Sequence, residues 1–294
     1  MKSLLSLSCK QLFKFPLIAL IFLQVFTSCS FKGVSRSKDI TYLGGRVLAD
    51  IPAQELNVFS PRKSKEPNEV FIFIHGGNWN SGRKELYSFF GNRLARKGVV
   101  SVIIDYPLSP DATYKQMAIV TAQAVSWVYE NIEEYGGDPE RIFVSGHSAG
   151  GHLAALVAVR DEYFSSRGKN NPIKGAILID AAGLDMYGYL KEKNYPADNT
   201  YIKTFTNDPV IWKEASPMYH LSEEMPKFLI FRGEKTYPSI IKSTEKFVST
   251  LSGFVEEPNY TVQSGKKHLP MITQFFWTWN SNYDDMLKFM SDED

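Results

Sequence analysis

Ser148 stands in the run Gly146-His147-Ser148-Ala149-Gly150, which has the form G-x-S-x-G. In that form a serine rides on a sharp strand-to-helix turn, and flanking glycines remove side chains that would collide with neighbouring backbone. The pattern is common by chance, so its surroundings decide its weight. Here the apolar run Ile142-Phe-Val-Ser145 precedes it and a helical stretch from Gly151 follows. Those are the strand and helix the turn requires. A phosphate-binding loop is disfavoured, because no lysine follows and the Walker spacing is absent. The chemistry expected of such a serine is nucleophilic attack on an acyl carbon.

Attack on a carbonyl builds negative charge on its oxygen, and fixed N–H donors there are worth about 3–4 kcal/mol each. His75-Gly76-Gly77-Asn78-Trp79 follows the apolar strand Val70–Ile74, and its glycines let the backbone turn N–H groups inward. Gly77 and Asn78 are the candidate donors of this loop, with Ala149 supplying a third. His75 reads as a structural hydrogen bonder.

A serine nucleophile needs a base. The five histidines are His75, His147, His152, His220 and His268. Around a strand–elbow–helix serine the order along the chain is serine, acid, histidine. His147 and His152 belong to the elbow and its helix, and His220 comes before the last strands. That leaves His268, in Gly265-Lys-Lys-His-Leu-Pro270, after the expected final strand Asn259–Gln263.

The elements that must position these residues are legible as alternating runs. Val70–His75, Val99–Asp105, Ile142–Ser145, Gly175–Asp180 and Lys227–Arg232 are continuous apolar stretches, as strands buried on both faces would be. Segments of helical length lie between them: Leu86–Lys97, Met117–Tyr135, Gly151–Val159 and Ser239–Leu251. The alternation predicts an α/β fold with a mostly parallel sheet and helices on both faces. Segments near Thr41 and at Leu56–Phe59 read as antiparallel edge strands. Residues 184–219 interrupt the rhythm with Tyr187, Tyr189, Tyr195, Tyr201, Phe205, Trp212 and Tyr219, and are expected to form a small cap. The cluster Phe275-Phe-Trp-Thr-Trp279 reads as helix core before it reads as a pocket wall.

Composition narrows the classes. Lys plus Arg number 33 against 32 Asp plus Glu, so the electrostatic footprint of a nucleic-acid binder is missing. Both cysteines, Cys9 and Cys29, fall in the first thirty residues. A disulfide framework, a cysteine-based zinc site and a thiol nucleophile are therefore excluded from the rest of the chain. No metal ligand set is apparent and no cofactor is expected.

The front of the chain reads as an address. Lys2, Lys10 and Lys14 precede the apolar run Phe15–Phe26, which is shorter than the ~20 residues needed to span a bilayer. Phe26-Thr27-Ser28-Cys29 resembles a bacterial lipobox, with Phe26 in place of the usual leucine. That resemblance implies a signal peptide over 1–28, acylation of Cys29, a tether over 29–38 and a folded domain over 39–294. The expected location is an exported lipoprotein, held at the membrane of the cell envelope by its lipid.

Taken together, from about Thr41 to Met290, the chain resembles the α/β-hydrolase superfamily. Within it, His75-Gly76-Gly77 with Trp79, Asp105-Tyr-Pro-Leu108, Tyr135-Gly-Gly-Asp-Pro139, Gly146–Gly151 and Ala215-Ser-Pro217 resemble the esterase branch. That branch holds carboxylesterases, hormone-sensitive-lipase-like and kynurenine-formamidase-like enzymes. The resemblance implies a serine hydrolase of small-molecule carboxylic esters, short-chain or aryl, with Ser148 as nucleophile and His268 as base. An amide hydrolase, formamidase or peptidase of the same fold is the alternative, and a binding protein that has lost turnover is a third reading. The acid is the departure. The family shows Gly, two residues, then Asp after the strand ending at Arg232, and here Thr236 occupies that place. Glu234 is the carboxylate of that loop and the leading candidate, with Asp180 and Asp185 as the other two, or no acid at all.

Overall fold

Alternation along single strands explains how one sheet carries two cores. In the third strand, Val70, Ile72 and Ile74 join one apolar cluster while Phe71 and Phe73 join another, because successive side chains point to opposite faces. Both faces must then be covered, and the helices between strands do this. The computed structural model describes residues 33–44, 51–64, 67–165 and 168–292. The expected signal peptide and Cys29 lie outside the described residues.

The strands are β1 (Val34–Leu43), β2 (Gln54–Pro61), β3 (Asn68–Ile74), β4 (Val100–Ile104), β5 (Gly137–His147), β6 (Ile173–Ile179), β7 (Lys227–Gly233) and β8 (Asn259–Gln263). They form one sheet in the order β1-β2-β4-β3-β5-β6-β7-β8. The β1–β2 and β2–β4 pairs are antiparallel and every later pair is parallel. β1 begins at Val34, so residues 34–38, expected in the tether, are part of the sheet. The reason is pairing: Val34 to Ser37 lie in register against Pro61 to Val58, which satisfies backbone that a tether would leave to water.

The helices are α1 (Ser88–Lys97), α2 (Tyr114–Asn131), α3 (Ala149–Val159), α4 (Glu162–Ser165), α5 (Met186–Lys193), α6 (Thr200–Phe205), α7 (Pro209–Glu214), α8 (Pro238–Leu251), α9 (His268–Thr273) and α10 (Asn282–Ser291). α2, α3 and α8 cover one face of the sheet. α1, α9 and α10 cover the other. α2 starts on a capping box in which Thr113 and Gln116 satisfy each other's backbone N–H. α5, α6 and α7, with a short 3₁₀ turn Pro217–His220, lie between β6 and β7, in the stretch expected to form a cap. Among the described residues, no helix is long and apolar enough to cross a membrane.

The 274–279 segment differs from its expectation. Phe275 is wholly buried, but Trp277 and Trp279 are 57% and 77% exposed and lie against each other with ring centroids 5.1 Å apart. A 3₁₀ turn at Gln274–Phe276 breaks the helical period, so one ring of the cluster faces the core.

Candidate active site

Strand register does most of the assembly. Ile74 pairs with Gly146, His147 with Ile179, and Ile179 with Phe231. The residues just beyond these pairs, His75, Ser148 and Asp180, therefore emerge side by side at the carboxyl edge of the sheet. Gly233 pairs with Gln263, and the loop leaving β8 brings His268 to the same edge.

Ser148 has φ 56° and ψ −121°, a conformation costing about 1–3 kcal/mol that the surroundings must hold. Its N–H donates to the Ile179 carbonyl at 3.2 Å, and its own carbonyl accepts from Ala182 at 3.1 Å and from His152 at 3.2 Å. A side chain on Gly150 would overlap the Ile74 carbonyl, and one on Gly146 would overlap the Gly150 backbone. Both glycines are required by this close approach.

The Ser148 hydroxyl donates to His268 Nε2 at 2.9 Å, and His268 Nδ1–H donates to Asp180 Oδ2 at 2.6 Å. This relay fixes the imidazole tautomer with its proton on Nδ1. Asp180 is fully buried. A buried carboxylate needs donors, and Asp180 has three: His268, the Gly233 N–H at 2.8 Å to Oδ1, and the Thr236 hydroxyl to Oδ2.

The acid on His268 is thus Asp180, and Glu234 is not. Glu234 is exposed and accepts from the Gly265 N–H at 2.5 Å and from Ser264 at 3.1 Å, bonds that hold its carboxyl below the usual range. Asp185 is engaged elsewhere: it caps α5 through the Gly188 N–H at 2.8 Å and pairs with Lys246. Thr236 leaves the displaced position uncharged.

Gly76 lies against the elbow, since a Cβ on it would stand 2.8 Å from the His147 carbonyl and 3.3 Å from Ser148 Cβ. Asn78 and Trp79 follow with φ of 52° and 60°, and Gly77 has φ 137°. The Gly77 carbonyl closes the turn by accepting from Asn80 and Ser81. Among the described residues no group accepts from the N–H of Gly77, Asn78 or Ala149; Ala149 follows the serine directly, and Gly77 and Asn78 follow the Gly76 contact with the elbow.

The remaining histidines support this frame. His75 bonds the Gly76 carbonyl at 2.9 Å and stacks on Tyr106, and burial lowers its pKa. His147 Nε2–H donates to the His268 carbonyl at 3.2 Å, and burial together with the charge of His268 pushes it down to about 3. His152 accepts from Trp79 Nε1 at 3.1 Å and donates to the Ala215 carbonyl at 2.7 Å. That bridge ties the His75–Trp79 loop, α3 and the segment between β6 and β7 together, and burial lowers His152 to about 4. His220 bonds the Glu214 carbonyl. His147, Asp180 and His268 stand close enough to ligate a metal ion, but the two ring nitrogens of His268 are already engaged by Ser148 and Asp180.

Lys84 completes this frame without a signature in the sequence. Its ammonium is buried and meets Asp39, Glu55, Glu85 and Asp105 at 2.8–3.2 Å. Burial alone would lower its pKa, but the hydrogen bonds to Glu85, Glu55 and Asp39 and the charge of Asp105 raise it overall. Asp105 also accepts from the Lys84 N–H at 2.7 Å, which pins the end of the loop begun at His75. A lone lysine amid acidic residues gives no pattern along the chain, and no sequence signal could have found it.

The BD-FAE sequence family matches residues 56–251. The chain belongs to the BD-FAE family. This BD-FAE chain is 27% identical over 297 residues to the isoprenylcysteine alpha-carbonyl methylesterase of Arabidopsis thaliana, covering 93% of this chain and 65% of that protein. It is 28% identical over 222 residues to esterase LipC of Mycobacterium tuberculosis, covering 70% and 54%. It thus spans about half to two thirds of the length of such relatives. Among solved structures, a truncated carbohydrate esterase from gut microbiota superposes with a TM-score of 0.74 at 18% identity, covering 90% of this chain and 99% of that one. Esterase B of Lactobacillus rhamnosis, in an inhibited form, superposes with a TM-score of 0.69 at 21% identity, covering 87% and 86%. These likenesses establish the α/β-hydrolase fold for the BD-FAE chain.

Proposed function

We propose that the protein is a serine hydrolase of carboxylic esters with short acyl or aryl groups. The observation that carries this reading is the Ser148–His268–Asp180 relay, set beside three unspent N–H donors at the sheet's carboxyl edge. The relatives named as esterases and methylesterase support it.

Ser148 Oγ attacks the carbonyl carbon while its proton passes to His268 Nε2. The imidazolium is held by Asp180, and the N–H groups of Gly77, Asn78 and Ala149 receive the oxyanion. Collapse breaks the ester C–O bond, and the alcohol leaves with the proton from Nε2. Water then attacks the acyl-serine, gives its proton to Nε2, and the second collapse frees the acid and returns the proton to Ser148. Asn78, Tyr237 and Leu269 are exposed around this edge, and the Tyr237 ring lies 5.0 Å from that of His268. A leaving group can therefore extend toward solvent.

Export and acylation at Cys29, placing the domain at a cell-envelope membrane, belong to the same proposal and rest on the lipobox-like run alone. The test of the activity uses the full chain in detergent with a fluorophosphonate probe and an aryl acetate. Wild type is expected to label and hydrolyse, and Ser148→Ala is expected to lose labelling and about 10⁶-fold in kcat. Labelling that persists in Ser148→Ala, or a wild type inert to both reagents, would overturn the reading. Hydrolysis of aryl amides as fast as of esters would move the substrate class.

A further inference from the structure

Thr236 is 8% exposed, and its hydroxyl donates to Asp180 Oδ2, the same oxygen that accepts His268 Nδ1–H. The other carboxylate oxygen is held by the Gly233 N–H. With the backbone N–H and imidazole alone, Oδ2 would be held by the imidazole only, the group whose charge changes during the reaction. The Thr236 hydroxyl gives that oxygen a donor that takes no part in proton transfer. The hydroxyl is itself well anchored. The Lys235 N–H donates to the Lys266 carbonyl at 2.8 Å, the Glu234 N–H donates to the Gln263 carbonyl at 3.0 Å, and Pro238 opens α8 just beyond. A β-branched side chain adds stiffness at χ1.

We propose that Thr236 is a positioning residue of the relay: its hydroxyl holds Oδ2 of Asp180 facing the imidazole, without touching substrate. The proposal rests on the serine-hydrolase reading, and its failure has a different signature. If Thr236 acts through Asp180, its loss slows proton transfer and leaves binding alone. The effect therefore falls on kcat and spares KM.

The test measures kcat, KM and fluorophosphonate labelling rate on the full chain. Thr236→Val keeps the shape and removes the donor, and is expected to lose about tenfold in kcat and in labelling rate with KM within about twofold. Thr236→Ser keeps the hydroxyl and is expected to stay within about threefold of wild type in kcat. Thr236→Val at wild-type kcat overturns the proposal, as does Thr236→Ser falling as far as Thr236→Val, which would mean the side chain only fills space. Should Thr236→Val fail to fold, Thr236→Ala decides, since it also removes the donor and leaves Asp180 in place. A folded Thr236→Ala is expected to lose about tenfold in kcat with KM within about twofold. Wild-type kcat in that variant overturns the proposal. A wild type that neither labels nor hydrolyses would instead sink the hydrolase reading itself.

Discussion

Two carboxylates stand near the carboxyl edge of this sheet, and they have opposite fates. Asp180 follows β6, is fully buried and holds His268. Glu234 follows β7, is exposed, and accepts from Ser264 and the Gly265 N–H in the loop that leads to His268. Both influence the base, one by direct contact and one by pinning the chain that carries it. A carboxylate can orient an imidazole only where strand register brings it within hydrogen-bond reach and where other donors offset the cost of burying it. Asp180 meets both conditions. Glu234 fails the first and, being exposed, never faces the second.

The contrast is sharpest in kinetics. Asp180→Asn should keep the packing but take away the charge that fixes the tautomer, and kcat is expected to fall by about 10⁴. Steady-state hydrolysis of an aryl acetate reads this directly, and a loss below tenfold would return the acid's role to another residue.

Burial separates the histidines in the same way, and there the readout is stability against pH. His152 is neutral in the fold with its pKa lowered to about 4, against about 6.5 when unfolded. Below pH 6.5 the unfolded chain takes up a proton that the folded chain refuses. Stability present above that pH is therefore lost as pH falls toward 4, at roughly 1 kcal/mol per unit. His152→Gln can still accept from Trp79 and donate to Ala215 but does not titrate, so its urea midpoints should fall less steeply between pH 6 and 4.5. An unchanged slope would mean that other buried groups set the acid limb.

The smallest effect is expected where the sequence pointed most directly. Glu234→Gln keeps an oxygen for Gly265 and Ser264, and kcat should stay within about threefold of wild type. A loss comparable to that of Asp180→Asn would erase the distinction between the two carboxylates.

Much of the arrangement was legible in the chain. Continuous apolar runs marked the buried strands, because a parallel sheet covered on both faces admits little else. The nucleophile and the His75–Trp79 loop were legible because each is a short glycine-bearing turn: Gly146 is crowded by Gly150 and Gly77 by Ser81, while Gly150 and Gly76 are crowded by the other turn's strand and loop. His268 followed from order along the chain. The split of the 274–279 aromatics between core and solvent was not legible, since a 3₁₀ turn changes the period at which side chains face the sheet.

Sequence alone sets the elements and the local form of the two strained turns, in which Gly146 and Gly77 are crowded by backbone four residues on. Packing between distant elements selects the acid, the four-carboxylate clasp on Lys84 and the Trp79–His152–Ala215 bridge. The physical reason is distance along the chain. His268 and Asp180 are 88 residues apart, and Trp79 and His152 are 73 apart. Whether such groups meet is set by strand order, register and the burial that follows from them, and none of these is a property of either residue's neighbours in sequence.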